Sequence, residues 1–144
     1  MAYSGRFKPS NPSKYKGNPM KIIYRSTWEL KLMKYCDTTK AVIEWGSEEI
    51  SIPYYSPIDG KMHRYYPDFY MKVQESNGKL KRYVIEVKPK RQCSPPIKGR
   101  KQKKTFIREV AEYAKNQAKW KAAKSFCEDR QLTFKVVTEK ELGL

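Results

Sequence analysis

Apolar positions recur at helical spacing soon after residue 20. Trp28, Leu32, Met33 and Cys36 form one arc on a 100° wheel. Ser26-Thr27-Trp28-Glu29 stands at its head as a capping box, which predicts a helix from Ser26 to about Asp37. Glu29 falls inside the apolar arc, between Cys36 and Met33, so an acid lies on the face that should be buried. Two short strand-like runs follow, Ala41 to Trp45 and Ile50 to Tyr54. The chemistry of Ser56-Pro57-Ile58-Asp59-Gly60-Lys61 is that of a turn, with Asp59 structural. Aromatic and branched residues then predict a strand from His63 to Val73 and another from Arg82 to Lys88, joined by a hairpin at Asn77-Gly78. The longest helix is predicted from about Thr105 to Asp129, with Phe106, Val110, Tyr113, Trp120, Ala123 and Cys127 roughly on one side. A last strand, Leu132 to Val137, and a capped turn at Thr138-Glu139-Lys140-Glu141 complete the order. Helix, antiparallel strands, long helix and strand predict an α/β fold, a mixed sheet flanked by helices.

Two stretches lack such a pattern. Residues 1–20 hold Pro9, Pro12, Pro19, Gly5 and Gly17 among serines and lysines, a composition expected to form a flexible basic arm. Residues 89–104 have no periodicity and two adjacent prolines, and read as a basic loop. The remaining chain, 21–144, is expected to be a single domain.

Charge sharpens this division. The chain of 144 residues has a net charge of +16. Residues 1–25 carry six Lys or Arg and no acid, and residues 89–104 carry seven (Lys90, Arg91, Lys98, Arg100, Lys101, Lys103, Lys104) and no acid. A nearly neutral body with two basic segments is the expected footprint of a polyanion binder. Charge added only for solubility would mix both signs, as the body of the chain does. No apolar run approaches the length of a membrane span, and no signal-type segment follows Met1, so the chain is expected not to be secreted. Three widely spaced cysteines, Cys36, Cys93 and Cys127, suit a reducing compartment. One histidine, His63, and no C-x-x-C make a zinc site or a histidine-based nuclease a poor fit.

The two hairpin strands each carry an acid that a buried strand would normally exclude, Asp68 and Glu86. Glu86 and Lys88 are two apart and leave the same face of the strand. Two carboxylates and a lysine on one sheet face suit Mg²⁺ and phosphate, since Mg²⁺ takes hard oxygen ligands at ~2.0–2.1 Å and keeps other positions for water and phosphate. The plainer reading is a surface ion pair between Glu86 and Lys88, which would contribute little. Register decides whether the acids can meet. A two-residue turn at Asn77-Gly78 would send Asp68 and Glu86 to opposite faces. A three-residue loop, Ser76-Asn77-Gly78, with Gly78 left-handed in a bulge, sets Asp68 directly across from Glu86. The catalytic reading requires that second register or one compensating bulge. Tyr54, Tyr65, Tyr66, Tyr70 and Tyr83 could stack bases, although aromatics on strands more often pack the sheet.

Pro67-Asp68 followed by Glu86-x-Lys88 resembles the PD-(D/E)xK nuclease superfamily. The wider match in STWELKLMKYCD, EEISIPYYSPIDGKMHRYYPDFYMKV, YVIEVKPK and NQAKWKAAKSFCEDRQLTFKVVTEKEL resembles the head completion nucleases of tailed bacteriophages, related to TnsA-type transposition endonucleases. It covers roughly residues 20–144. The resemblance implies a restriction-endonuclease-like core and an Mg²⁺-dependent deoxyribonuclease acting on double-stranded DNA in head completion and head-tail joining, with phage head or neck proteins as partners. It places the protein in the virion or the host cytoplasm. It also implies a catalytic set of Glu29, Asp68, Glu86 and Lys88, the three acids holding one or two Mg²⁺ ions. Gln117 and Lys119 match a recurring stretch of the long helix that serves either DNA binding or packing. The competing reading is a DNA-binding structural component of the head or neck that performs no chemistry. The acids discriminate, because a pure binder gains nothing from carboxylates facing phosphate.

Overall fold

The computed structural model describes residues 4–143. Its centre is a four-stranded mixed sheet in the order β3-β6-β7-β8, formed by Val42–Ser47, Phe69–Gln74, Leu80–Val87 and Thr133–Val137. β3, β6 and β7 pair antiparallel, and β8 joins β7 in parallel. The parallel step needs a crossover, and the helix α2, Lys103–Asp129, supplies it.

The sheet's two faces are covered differently. On one face Trp45, Phe69, Met71 and Ile85 pack with Leu32, Met33 and Cys36 of the first helix, α1, Thr27–Thr38. On the other, Phe134 joins Ala123 of α2 and Ile52, Tyr54 and Tyr65 of a separate two-stranded ribbon, β4 (Ile52–Tyr55) with β5 (Met62–Tyr65). A short helix, α3, Glu139–Leu142, closes the chain with the expected capping box on Thr138.

Four expectations change. The single strand from His63 to Val73 is two strands, because Tyr66-Pro67-Asp68 breaks it and β5 leaves the main sheet to pair with β4. Proline has no N–H for a ladder and holds its predecessor extended, so pairing stops at that point. The flexible arm is folded from residue 4 onward. Gly5–Arg6 (β1) pairs with Ile23–Tyr24 (β2), and Phe7 and Tyr15 are buried against Trp45 with ring centroids 5.9 and 4.7 Å away. Asp37 clasps this segment, its carboxylate accepting the N–H groups of Ser10 and Asn11 at 2.8 and 3.0 Å. Residues 1–3 of that expected arm lie outside the described residues. The predicted apolar side of α2 is also only half realised. Ala123 and Cys127 are buried, whereas Ile107 and Val110 near its N-terminus are exposed. The loop expected over 89–104 contains a short 3-10 turn at Lys90–Cys93 and gives up Lys103 and Lys104 to the first turn of α2.

Candidate active site

The hairpin register is the one that brings the acids together. Phe69 pairs with Ile85, Tyr70 with Val84 and Gln74 with Leu80. The pairing runs on through Glu75 and Lys79, whose backbone bond is 2.8 Å, and leaves Ser76-Asn77-Gly78 as a three-residue loop. Gly78 takes φ +83°, the left-handed conformation that a side chain would strain. One step beyond Phe69 and Ile85, Asp68 lies opposite Glu86. The pair sits where β6 begins and β7 ends, on the face shared with Val84 and Tyr70.

Asp68 has left the strand, and its side chain takes over part of the ladder. Its Oδ2 accepts the Val87 N–H at 2.8 Å while its carbonyl accepts the Glu48 N–H at 3.1 Å. The carboxylate is thereby held by backbone and cannot swing away. Glu86 is only 6% exposed, in the middle of a paired strand between β6 and β8. The Lys88 Nζ lies 3.6 Å from Glu86 Oε2. This ion pair is largely shielded from water, which sets it apart from the solvent-exposed surface pair that the sequence also allowed.

Glu29 enters from the other side of the sheet, in the first turn of α1. Ser26 caps the helix as expected, its Oγ accepting the Glu29 N–H at 3.1 Å. The return bond of the box runs one residue early, from the Arg25 N–H to Glu29 Oε1 at 3.2 Å. Glu29 is half-buried and within electrostatic reach of both Glu86 and Asp68. The Arg25 guanidinium pairs with Glu48, whose backbone sits at φ +55°, an unusual conformation for a non-glycine residue beside the site.

The electrostatics follow from this crowding. Burial, then the charge of Glu86, pushes the Asp68 carboxyl up to about 8, against the Val87 N–H that favours its anion. Burial likewise raises Glu29, with the charges of Glu48 and Glu86 adding to it. Such carboxylates gain from a counter-charge placed between them.

Lys119 reaches this place from α2. Its ammonium lies 5.5 Å from the Tyr65 ring centroid and 5.8 Å from that of Tyr54. Burial and the neighbouring Lys115 lower its pKa, while Glu86 pulls the other way. Gln117 is not with it. Two residues apart on a helix point to different sides, and Gln117 is exposed in a cleft with Trp120, Lys121, Lys124 and Phe134. Tyr65, only 3% exposed, brings its hydroxyl to the acids. Sequence reasoning left it among five tyrosines, because the chain break at Pro67 that turns it toward the site is a tertiary event.

The basic residues of 90–104 follow Lys88 along the chain. The Lys90 N–H is held by Glu139 at 2.7 Å, and Lys101 pairs with Glu109 at 2.7 Å. Lys98, Arg100, Lys103 and Lys104 are exposed, and Arg91 lines a cavity of about 400 Å³ with Pro95, Pro96 and Tyr113.

Among the described residues no three His, Cys, Asp or Glu side chains form a ready-made cluster for a metal ion. The buried pair Asp68 and Glu86 nevertheless fits a hard divalent cation by donor chemistry. Mg²⁺ commonly takes one or two carboxylates and fills its remaining positions with water and substrate phosphate. Glu29 is half-buried within electrostatic reach of this pair.

The pattern of TnsA-like endonuclease N-terminal domains matches residues 39–139, a stretch that includes Asp68, Glu86 and Lys88 and begins after Glu29. The head completion nuclease of Enterobacteria phage T4 is 42% identical over 146 aligned positions, which cover 99% of this chain and 95% of that protein. A mixed sheet with helices on both faces, an acid pair at the end of one hairpin and a match over most of the chain agree, and the protein belongs to the TnsA-like endonuclease family of nucleases.

Proposed function

We propose that the protein is a divalent-cation-dependent deoxyribonuclease that acts on double-stranded DNA when phage heads are completed and joined to tails. The observation that carries the chemistry is the pairing of Asp68 and Glu86, two buried carboxylates on one face with Lys88 3.6 Å from Glu86. The likeness to a head completion nuclease carries the setting, the assembling particle within the host cell, and proteins of the head or neck as partners.

Asp68 and Glu86 would hold Mg²⁺, with Glu29 near a second ion or its water. When bound, the cation supplies Lewis acidity and a counter-charge for the phosphate. The chain's own groups do the rest. Lys88, held beside Glu86, orients the attacking water and offsets negative charge that grows on the phosphate. The Val87 N–H fixes the Asp68 carboxylate, so the acids need not reorganise when substrate arrives. The exposed cations Lys90, Arg91, Lys98, Arg100, Lys101, Lys103 and Lys104 grip flanking phosphates on the side where β7 ends, and Lys119 faces the same DNA from α2. Gln117 serves a different surface of that helix, where a second DNA contact is the simplest use.

Incubation with plasmid DNA, with Mg²⁺ or with EDTA, tests this reading beside Glu86→Ala. Cleavage is expected with Mg²⁺ alone and only in the unmodified protein. Mg²⁺ should also raise the melting temperature of the unmodified protein, because a ligand bound only to the folded state stabilises it. Full cleavage by a folded Glu86→Ala protein, or none by the unmodified one under any divalent cation, would leave a DNA-binding head component as the better account.

A further inference from the structure

A cavity of about 400 Å³ lies between the segment that follows β7 and the N-terminal half of α2. That volume falls within the ~300–1,000 Å³ of small-ligand sites. Pro95, Pro96 and Tyr113 give it apolar walls. Asn116 also lines it and is only 2% exposed, and among the described residues no hydrogen bond reaches its side-chain amide. A buried amide without a partner costs the folded state the hydration that group had in water. Leucine would fill much the same space without that cost, so the core gains nothing from an amide here.

The charges around the cavity narrow what it can hold. Its two acids are already engaged, Glu109 with Lys101 at 2.7 Å and Glu112 with Lys115 at 3.3 Å. Arg91 on its wall is exposed and has no ion pair among the described residues. An apolar slot with a free guanidinium at its edge and an amide within suits a flat, hydrogen-bonding ring that carries a phosphate. The amide has an acceptor oxygen and two N–H donors, the complement of a nucleobase edge. Position supplies such a ligand. Arg91 comes three residues after Lys88, so the two attach to the backbone within roughly 11 Å of each other. Successive nucleotides of a duplex strand rise ~3.4 Å, which makes this span about three nucleotides. A base that is stacked and paired in a duplex cannot enter a slot of this kind, so the occupant is a base out of the stack.

We infer that the cavity takes one unpaired nucleobase of the DNA strand held at Lys88, with Tyr113 and the prolines against its faces, the Asn116 amide on its edge and Arg91 on its phosphate. The inference rests on DNA being the substrate. It narrows that substrate to duplexes with an unpaired or easily unpaired nucleotide beside the cut, because extruding a base costs least where pairing is already lost.

The test uses the full chain in EDTA and a duplex with a short single-stranded tail, 5′ or 3′. It is compared with the same duplex bearing an abasic tail, which keeps the phosphates and loses the bases. By fluorescence anisotropy, binding should be roughly 5- to 150-fold tighter to the tail with bases in at least one polarity, the range for one base stacked on an aromatic ring. Tyr113→Leu should remove most of that preference, and Asn116→Leu should reduce it; melting temperatures identify which variants are folded. Equal affinity for the two tails in the unmodified protein, or an undiminished preference in either folded variant, overturns the proposal. Neither metal nor cleavage enters this measurement, so the two readings fail separately. Plasmid cleavage without any base preference defeats this inference alone, whereas the preference in a protein that cleaves no plasmid supports this site and defeats the catalytic one.

Discussion

The hairpin β6-β7 shows two chemistries on its two faces. Toward α1 it presents Phe69, Met71 and Ile85, which meet Leu32, Met33 and Cys36 in a layer of apolar side chains. Toward α2 it presents Tyr70, Val84 and Glu86, with Asp68 at the strand's entry, and here carboxylates, an ammonium and unpaired donors are shut in together. The first face is where burial stabilises, at roughly 25 cal/mol per Å² of apolar area. The second spends some of that stability to keep charges close and fixed. One register serves both, because alternate residues of a strand point to opposite sides. Sliding the hairpin by one residue would move apolar groups out and acids into the core at the same time. The arrangement that buries the core thus also assembles the site.

The comparison breaks most sharply at the acids. Asp68→Asn and Glu86→Gln should each lower cleavage by about 10²–10⁴, the range for removing a positioned proton-transfer or charged group, while stability in EDTA holds or rises. A variant that loses activity only because it unfolds would show the acids to be structural, and circular dichroism melts decide this. The opposite face should give the mirror result. Phe69→Ala, at a fully buried ring, should cost ~3–5 kcal/mol of unfolding free energy in denaturant titration. Equal stability loss from both faces would erase the distinction.

The distinction also predicts a pH dependence. The Asp68 carboxyl is raised in the folded protein above its value in the unfolded chain. Between those two values the folded state holds a proton that the unfolded state has released, so the contribution of Asp68 to stability declines as pH rises from about 4 to about 8. Melting temperatures in EDTA should therefore fall across that window for the unmodified protein and fall less for Asp68→Asn. Mg²⁺ should remove much of the decline, since a bound cation favours the anion. A profile identical in both proteins would mean Asp68 is as well solvated folded as unfolded.

The smallest stability effect is expected outside the hairpin. Neutralising Lys98, Arg100 and Lys103 should leave stability within about ±0.5 kcal/mol, the usual range for exposed sites. It should flatten the dependence of DNA affinity on salt, by roughly 0.9 in log-log slope for each phosphate that is no longer neutralised. An unchanged slope in a binding titration would show that this segment lies away from the DNA.

Much of this was legible in the residues alone. Ser26 and Glu29 announce the start of α1, Thr138 and Glu141 the start of α3, and Asn77-Gly78 the hairpin, because capping and turn chemistry act over three or four residues. The alternation of β7 places Glu86 and Lys88 on one face for the same reason. The sequence left two registers open, however, and only pairing through Glu75 and Lys79 chose the one that sets Asp68 against Glu86. Composition also misjudged the first twenty residues, where proline, glycine and lysine conceal Phe7 and Tyr15. Their burial depends on Trp45, thirty residues beyond Tyr15 and further still from Phe7, and on the Asp37 carboxylate that ties the segment down. Tyr65 and Lys119 are more than fifty residues apart and meet only because β5 turns out of the sheet under α2. Local hydrogen bonds and side-chain periodicity act along the chain and are written in it; which distant side chains share a buried space is settled by packing, and packing exists only once the chain has folded.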